Sequence, residues 1–386
     1  MVGDLESHPA LAGGPVYLDY NATTPVDPLV TDAMLPYLTS GFGNPSSEHH
    51  YGAGPRAALA NARAQVSSLV GGQDGRVVFT ASGSEADNLA IRGAVLAAPP
   101  ERRHVITQCT EHPAVLGACR ALARLHGVRL TVLGVDRAGL VDADELAAAV
   151  GRDTALVSIM AANNETGAIL PVAALAAVAH EHGALLHCDA AQAVGRIPVD
   201  ASDVDLLTVV GHKMYAPKGI GALYVRAGVA LEPLVYGGGQ ETGLRAGTEN
   251  VALSVGLGMA ARLAADALTA GEPKRLQELR DRLHTGLMTA LPGRVELNGP
   301  AGSRLPNTLN ISVRGIVGQD LLAAVPGIAA ATGSACHSGD ARPSPVLTAM
   351  GMPAQRGLAA LRLSLGRWST TEDADRAVRL IAAAVH

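Results

Sequence analysis

The feature that most constrains this chain is a repeated alternation of short apolar β-type runs with Ala/Leu-rich helical stretches. Val77-Val78-Phe79-Thr80 runs into Ala81-Ser82-Gly83-Ser84, Ala155 to Ala161 runs into Asn163-Asn164-Glu165-Thr166-Gly167, and Ala184 to Cys188 ends at Asp189. Near-continuous apolar strands separated by helices predict an α/β fold with a mostly parallel sheet covered on both faces. Ligands of such sheets collect at the carboxyl ends of the strands, where these polar residues sit. The pattern changes near residue 265. Pro273 opens a helix with Leu276, Leu279, Leu283, Leu287 and Leu291 at spacings of three and four, and Pro292-Gly293 stops it. Shorter strands and helices follow, among them Thr308 to Val313, a Gly/Ala-rich stretch to Cys336, and Leu361 to Leu365. The expected division is a large domain over 17–262 and a smaller α+β domain over 263–386. Residues 1–16 form an N-terminal segment that packs against the small domain or stays loose.

Composition narrows the function classes. The chain has 386 residues with 48% hydrophobic content, enough for a large core and two domains. Aromatics are 3%, so the core is built from Ala, Val, Leu and Ile. Charged residues at 17% and 44 glycines fit a large protein or an oligomer that buries an interface. The net charge is −5 and Arg102-Arg103 is the one dense basic spot before mid-chain, so no nucleic-acid footprint is expected. No apolar run approaches the roughly 20 residues of a membrane span; the longest, after Asp320, is broken by Pro326-Gly327. The N-terminus lacks a basic region followed by an apolar stretch, so no signal peptide is expected. Cys109, Cys119, Cys188 and Cys336 show neither C-x-x-C nor zinc-like spacing. They predict a reduced, cytoplasmic protein with no metal site. No G-x-G-x-x-G opens a helix after an early strand, which argues against a nucleotide-binding dehydrogenase.

Six places could carry chemistry. Lys213, in Gly211-His212-Lys213 at the end of the strand Leu206 to Val210, is either a desolvated Schiff-base amine or a surface loop lysine. Asp189, with Gln192 three residues on, could hold a pyridine nitrogen protonated or cap the next helix. Ser82-Gly83-Ser84-Glu85 lies between strand and helix, where bare N–H groups suit a phosphate and Glu85 suits a capping box begun at Ser82. His112 offers a flat imidazole that could stack on a ring, or serves structure. Cys336 sits among small residues, unlike a core cysteine. A free thiol with a pKa near 8.5 is only a few per cent thiolate at neutral pH, so a base such as His112 or His337 would be needed to raise that fraction. Arg362, within the apolar Leu361 to Leu365, needs an anion: a substrate carboxylate or a structural partner.

Taken in order, these segments closely resemble the cysteine desulfurase and selenocysteine lyase family of fold-type I pyridoxal-phosphate (PLP) enzymes. The resemblance runs from Tyr17-Leu18-Asp19-Tyr20-Asn21-Ala22-Thr23-Thr24-Pro25 to Leu363-Ser364-Leu365-Gly366-Arg367. It includes Gly43-Asn44-Pro45-Ser46-Ser47, Gly219-Ile220-Gly221-Ala222-Leu223-Tyr224, Gly237-Gly238-Gly239-Gln240-Glu241 and Arg245-Ala246-Gly247-Thr248-Glu249-Asn250. It implies the PLP-dependent transferase fold, and a site in which Lys213 binds the cofactor covalently and later moves the α-proton. Asp189 would pair with the pyridine nitrogen, and Gln192 and Asn164 would face the ring hydroxyl and the substrate. His112 would stack on the ring, while Gly83, Ser84 and His212 hold the phosphate. Thr248 would reach the phosphate of the neighbouring subunit in a homodimer. Arg362 would bind the substrate carboxylate, and Cys336 would take sulfur from L-cysteine, leaving alanine and a persulfide for a sulfur-acceptor protein.

Departures from the pattern bear on this reading. Many desulfurases carry Ser just before the Gly-His-Lys triplet, where it touches phosphate; here the residue is Val210. Animal selenocysteine lyases share an apolar residue there, and resemble the Cys336-His337-Ser338 start and Pro343-Ser344-Pro345-Val346-Leu347. Those lyases have Asp after the stacking His, where this chain has Pro113. L-selenocysteine is thus the alternative substrate. The chain ends at His386, soon after the last helix, and the longer tail that docks an iron–sulfur scaffold is expected to be absent, so that the acceptor differs. A transaminase or other PLP lyase would need Lys213 and not Cys336. A non-catalytic scaffold would need neither.

Overall fold

The computed structural model describes residues 8–333 and 342–385. Seven strands build its main sheet: Gly75–Thr80 (β1), His104–Gln108 (β2), Arg129–Leu133 (β3), Thr154–Ser158 (β4), Leu185–Asp189 (β5), Leu206–Val210 (β6) and Gly221–Arg226 (β7). Their spatial order is β1-β7-β6-β5-β4-β2-β3. All neighbours run parallel except β7, which is antiparallel to both β1 and β6. Strands β2, β4, β5 and β6 are buried nearly throughout, as expected of strands covered on both faces. One apolar cluster fills each face of this sheet.

Local chemistry fixes the turns that aim the site. Ser82 caps helix Gly83–Ala97, its hydroxyl accepting the Glu85 N–H at 3.1 Å. Glu85 reaches back to the Ala81 N–H at 3.0 Å, one residue beyond the usual capping-box target, the Ser82 N–H. Pro113 occupies the first turn of helix Pro113–His126, where its missing N–H costs nothing, and the His112 Nδ1 caps that helix by accepting the Ala114 N–H. The apolar segment after Thr154 ends as a strand at Ser158, short of the Ala161 expected from its hydrophobicity, because the chain turns toward the Asn163 loop. Asn163 Oδ1 then accepts the N–H groups of Glu165 and Thr166, and Gly167 takes a φ of +76°.

A second sheet, Val295–Leu297 (β8), Thr308–Val313 (β9) and Ala360–Ser364 (β10), is antiparallel in the order β10-β9-β8. The leucine stripe of helix Glu272–Ala290 packs on it, with Leu283 and Leu287 fully buried. Val16 and Leu18 join that cluster, and Val16–Tyr17 pairs with Ile328–Ala329. Helix Val251–Thr269 runs unbroken through residue 263 and packs on His50–Leu69 and Pro28–Leu38. It corrects the expectation that no segment approaches membrane-spanning length. Among the described residues it is one helix long and apolar enough, but half of it is buried in this core. Its small residues allow the close approach: a Cβ on Gly258 would come within 2.6 Å of the Ala62 Cα.

One buried residue ties the two sheets together. Asn21 Nδ2 donates to the Asn164 carbonyl (3.0 Å) and to Thr308 Oγ1 (2.9 Å), and Asn21 Oδ1 accepts from Asn307 (3.0 Å). Its own N–H reaches Ser364 Oγ at 3.0 Å. Asn21→Ala strands several of these groups without water. The expected loss is about 1–3 kcal/mol of unfolding free energy, measured by urea denaturation of the cofactor-free protein.

Candidate active site

The carboxyl ends of β5 and β6, the start of helix Gly83–Ala97 and the Asn164 loop enclose a cavity of about 330 Å³. Lys213, His212, Gly83, Ser84, His112, Asn164, Asp189, Gln192 and Arg362 all line it. These residues come from six separate stretches of sequence. Thr248 is exposed and does not line the cavity of its own chain. Cys336 and His337 lie outside the described residues.

Lys213 is half-buried, and its Nζ donates to the carbonyls of Asn21 (2.8 Å) and Ala22 (2.7 Å). Burial, reinforced by Arg196 and Arg362, pushes the amine down to about 8. It is not a surface lysine. Asp189 is 7% exposed, and its Oδ1 accepts the Ala191 N–H at 3.0 Å. The segment after Asp189 is a turn rather than the helix expected there, so one oxygen caps a turn while the side chain lines the cavity. Burial raises its pKa, while the Ala191 N–H, His112 and Lys213 oppose that rise. Burial lowers His112, leaving a neutral ring over the cavity. His212 falls to about 4 through burial and the cations around it, and its Nδ1 lies 3.1 Å from Thr23 Oγ1.

Gln192 is fixed by Arg196, which bonds its Oε1, and by the Asn21 carbonyl, which accepts from Nε2 at 3.1 Å. Arg362 pairs with Asp19 at 2.8 Å and reaches the Asn164 carbonyl at 3.4 Å, and its buried Nε has no hydrogen-bond partner among the described residues. Its anion is thus in part a structural one, with donor capacity left over. Val210 closes the wall beside Gly83. A Cβ at position 83 would fall 2.4 Å from Val210 Cγ2, so only glycine fits against that valine. Glu165 accepts the Ser344 hydroxyl, linking the Asn164 loop to the segment that leads into Pro345–Ala349.

Three groups at the cavity escaped the sequence reading. Asp87 and Met160 line it, and Glu111 is buried beneath it with its carboxyl pushed up to about 8 by burial and Asp189. Asp87 stands one helical turn after Gly83, and that i,i+4 spacing was the available signal.

The comparisons agree with this geometry. An aminotransferase class-V model matches residues 16–377. A cysteine desulfurase of Gluconacetobacter diazotrophicus is 50% identical over 366 residues, covering 94% of this chain and 91% of that protein. This chain belongs to the cysteine desulfurase family. Among solved structures, a NifS-like protein superposes with a TM-score of 0.89 at 35% identity, covering 96% of this chain and 99% of that one. A protein described as SspA in complex with cysteine matches at 0.80 and 33%, covering 92% and 99%. The fold expected for the desulfurase family, a mostly parallel sheet flanked by helices with a smaller α+β part, is the fold observed.

The depressed Lys213 amine gives a pH prediction. It is protonated below about pH 8 and a free nucleophile above it. Labelling of Lys213 by an amine-reactive aldehyde, followed by peptide mass spectrometry on cofactor-free protein, should rise with a midpoint near 8 rather than near the ~10.4 of an exposed lysine.

Proposed function

We propose that this protein is a PLP-dependent cysteine desulfurase that converts L-cysteine to L-alanine and forms a persulfide on Cys336. The observation that carries this reading is the half-buried, low-pKa Lys213 facing Asp189 and His112 in one cavity, with Arg362 at its edge. The donor set fits the cofactor. Gly83 and Ser84 open a 15-residue helix at the cavity wall, where the N–H groups of its first turn would meet a phosphate. Asp189 would hold the ring nitrogen, His112 would lie against the ring face, and Gln192 and Asn164 would meet the ring hydroxyl. When bound, PLP supplies an electron sink that weakens the bonds at the substrate's α-carbon.

The chain's own residues do the rest. Arg362, steadied by Asp19 and with Nε to spare, would take the substrate carboxylate and fix the amino acid's orientation. Lys213 would hold the cofactor and, as a neutral amine, would move the α-proton. The Asn21 and Ala22 carbonyls can receive its ammonium form. The Cys336 thiolate would attack the substrate sulfur. The C–S bond breaks, an S–S bond forms and the carbon takes a proton, so L-cysteine plus thiol gives L-alanine plus persulfide with no external oxidant. A sulfur-acceptor protein then collects the persulfide.

The expected division into 17–262 and 263–386, with 1–16 as the N-terminal segment, puts this cavity between a large domain and a small one. A homodimer is part of the reading. The exposure of Thr248 away from its own cavity, and of Leu35, Leu38 and Phe42, supports a partner's docking there. A cytoplasmic location follows from the scattered thiols.

One observation favours a second substrate: the apolar Val210 wall, shared with selenocysteine lyases. Alanine release from L-cysteine and L-selenocysteine, side by side, anaerobically and with reductant, tests both. Turnover of L-cysteine supports the desulfurase, and near-exclusive turnover of L-selenocysteine overturns it in favour of the lyase. Cys336→Ser is expected to keep the bound chromophore and lose persulfide formation; full turnover in that variant would instead favour another class of PLP lyase. Arg362→Ala is expected to raise KM for cysteine by about 10- to 100-fold, the loss of a charged hydrogen-bonded contact.

A further inference from the structure

Below the cavity floor lies a buried polar chain that the mechanism above does not use. His187 and Asp189 sit two residues apart on β5 and face the same side of the sheet, toward helix Gly83–Ala97. His187 is fully buried, and burial pushes it down to about 3, so its ring is neutral. Its Nδ1 lies 2.9 Å from Ser158 Oγ and its Nε2 lies 3.1 Å from Thr208 Oγ1. The Asp87 carboxyl stands beside this group.

Asp87 Oδ1 is 3.7 Å from His187 Nε2 and has no hydrogen-bond partner among the described residues, although Asp87 is 2% exposed and lines the cavity. An ionised carboxylate there would be nearly bare, next to two other acids, Asp189 and Glu111. Asp189 is placed differently: it has the Ala191 N–H, and Lys213 and His112 stand near it.

We propose that Asp87 works as a neutral, proton-bearing acid on the cavity floor, a positioning residue that leaves Asp189 the only anion beneath the cofactor ring. Burial and the neighbouring Asp189 both raise Asp87, in keeping with this arrangement. Two carboxylates of one site thus take different protonation states because their surroundings differ. The proposal rests on the reading of PLP and Asp189 given above.

The test uses holoprotein carrying Asp87→Asn, Asp87→Ala or Asp189→Asn. Two quantities are read, the dissociation constant of PLP and the pH at which the bound chromophore's absorbance changes. An amide mimics a neutral acid in shape and charge, so Asp87→Asn should bind PLP within about threefold of wild type and titrate at the same pH. Asp87→Ala removes the polar group from the cavity floor and should weaken PLP about tenfold. Asp87→Ser takes its place, with the same expectation, should the alanine variant not fold. Asp189→Asn should weaken PLP by tenfold or more and move the chromophore's titration. If Asp87→Asn does what Asp189→Asn does, Asp87 is an anion and the proposal falls while the Asp189 reading stands. If Asp87→Ala matches wild type, Asp87 has no positioning role. If Asp189→Asn matches wild type, the Asp189 reading fails and takes the proposal with it.

Discussion

The contacts of Asn21 are the constraint on which the rest of the site depends. It is buried, and every polar group it offers is engaged by a different part of the chain: Asn164 and Gln192 from the main sheet's loops, Asn307, Thr308 and Ser364 from the second sheet, and Lys213 itself. A buried polar network of this kind is stable only when all its members are satisfied. The two sheets therefore cannot shift independently of the lysine. Arg362, on the second sheet's β10, inherits its position from the same arrangement and meets the Asn164 loop across the cavity.

Burial then differentiates groups of the same type. Lys213 is an amine of lowered basicity, because desolvation and two nearby guanidinium groups oppose its charge. Glu111, Asp87 and Asp189 lie close together, and like charges in a low-dielectric interior cannot all persist. Their differing partners decide which keeps the charge. The neutral His112 and His212 line the same cavity as Arg362 and Lys213, which bring positive charge to it.

Much of the fold could be read directly. The strands Leu206–Val210 and Thr308–Val313 and the leucine stripe of Glu272–Ala290 coincide with their hydrophobic patterns, since an uninterrupted apolar run or a 3.6-residue stripe has few other ways to be buried. The end of β4 was misplaced because hydrophobicity continues past the point where the chain leaves the sheet. Helix Val251–Thr269 was overlooked because glycines interrupt its apolar pattern; Gly256 leaves room for Met34 and Gly258 lets the helix approach Ala62. The antiparallel β7 carries no local mark of its direction.

The sequence by itself determined which residue types could do chemistry and that they lie at strand ends, because apolar periodicity and turn residues are local properties. Lys213, Asp189, His112 and Gly83 were legible in that way, and Arg362 stood out as a charge inside an apolar run. Only the tertiary structure decided their partners and charge states. Whether Arg362 meets Asp19, whether Asp189 caps a turn as well as lining the cavity, and whether Asp87 faces that cavity depend on residues up to 343 positions apart. A pKa or a hydrogen-bond direction is set by the groups that surround a side chain in space, and a one-dimensional pattern does not contain them.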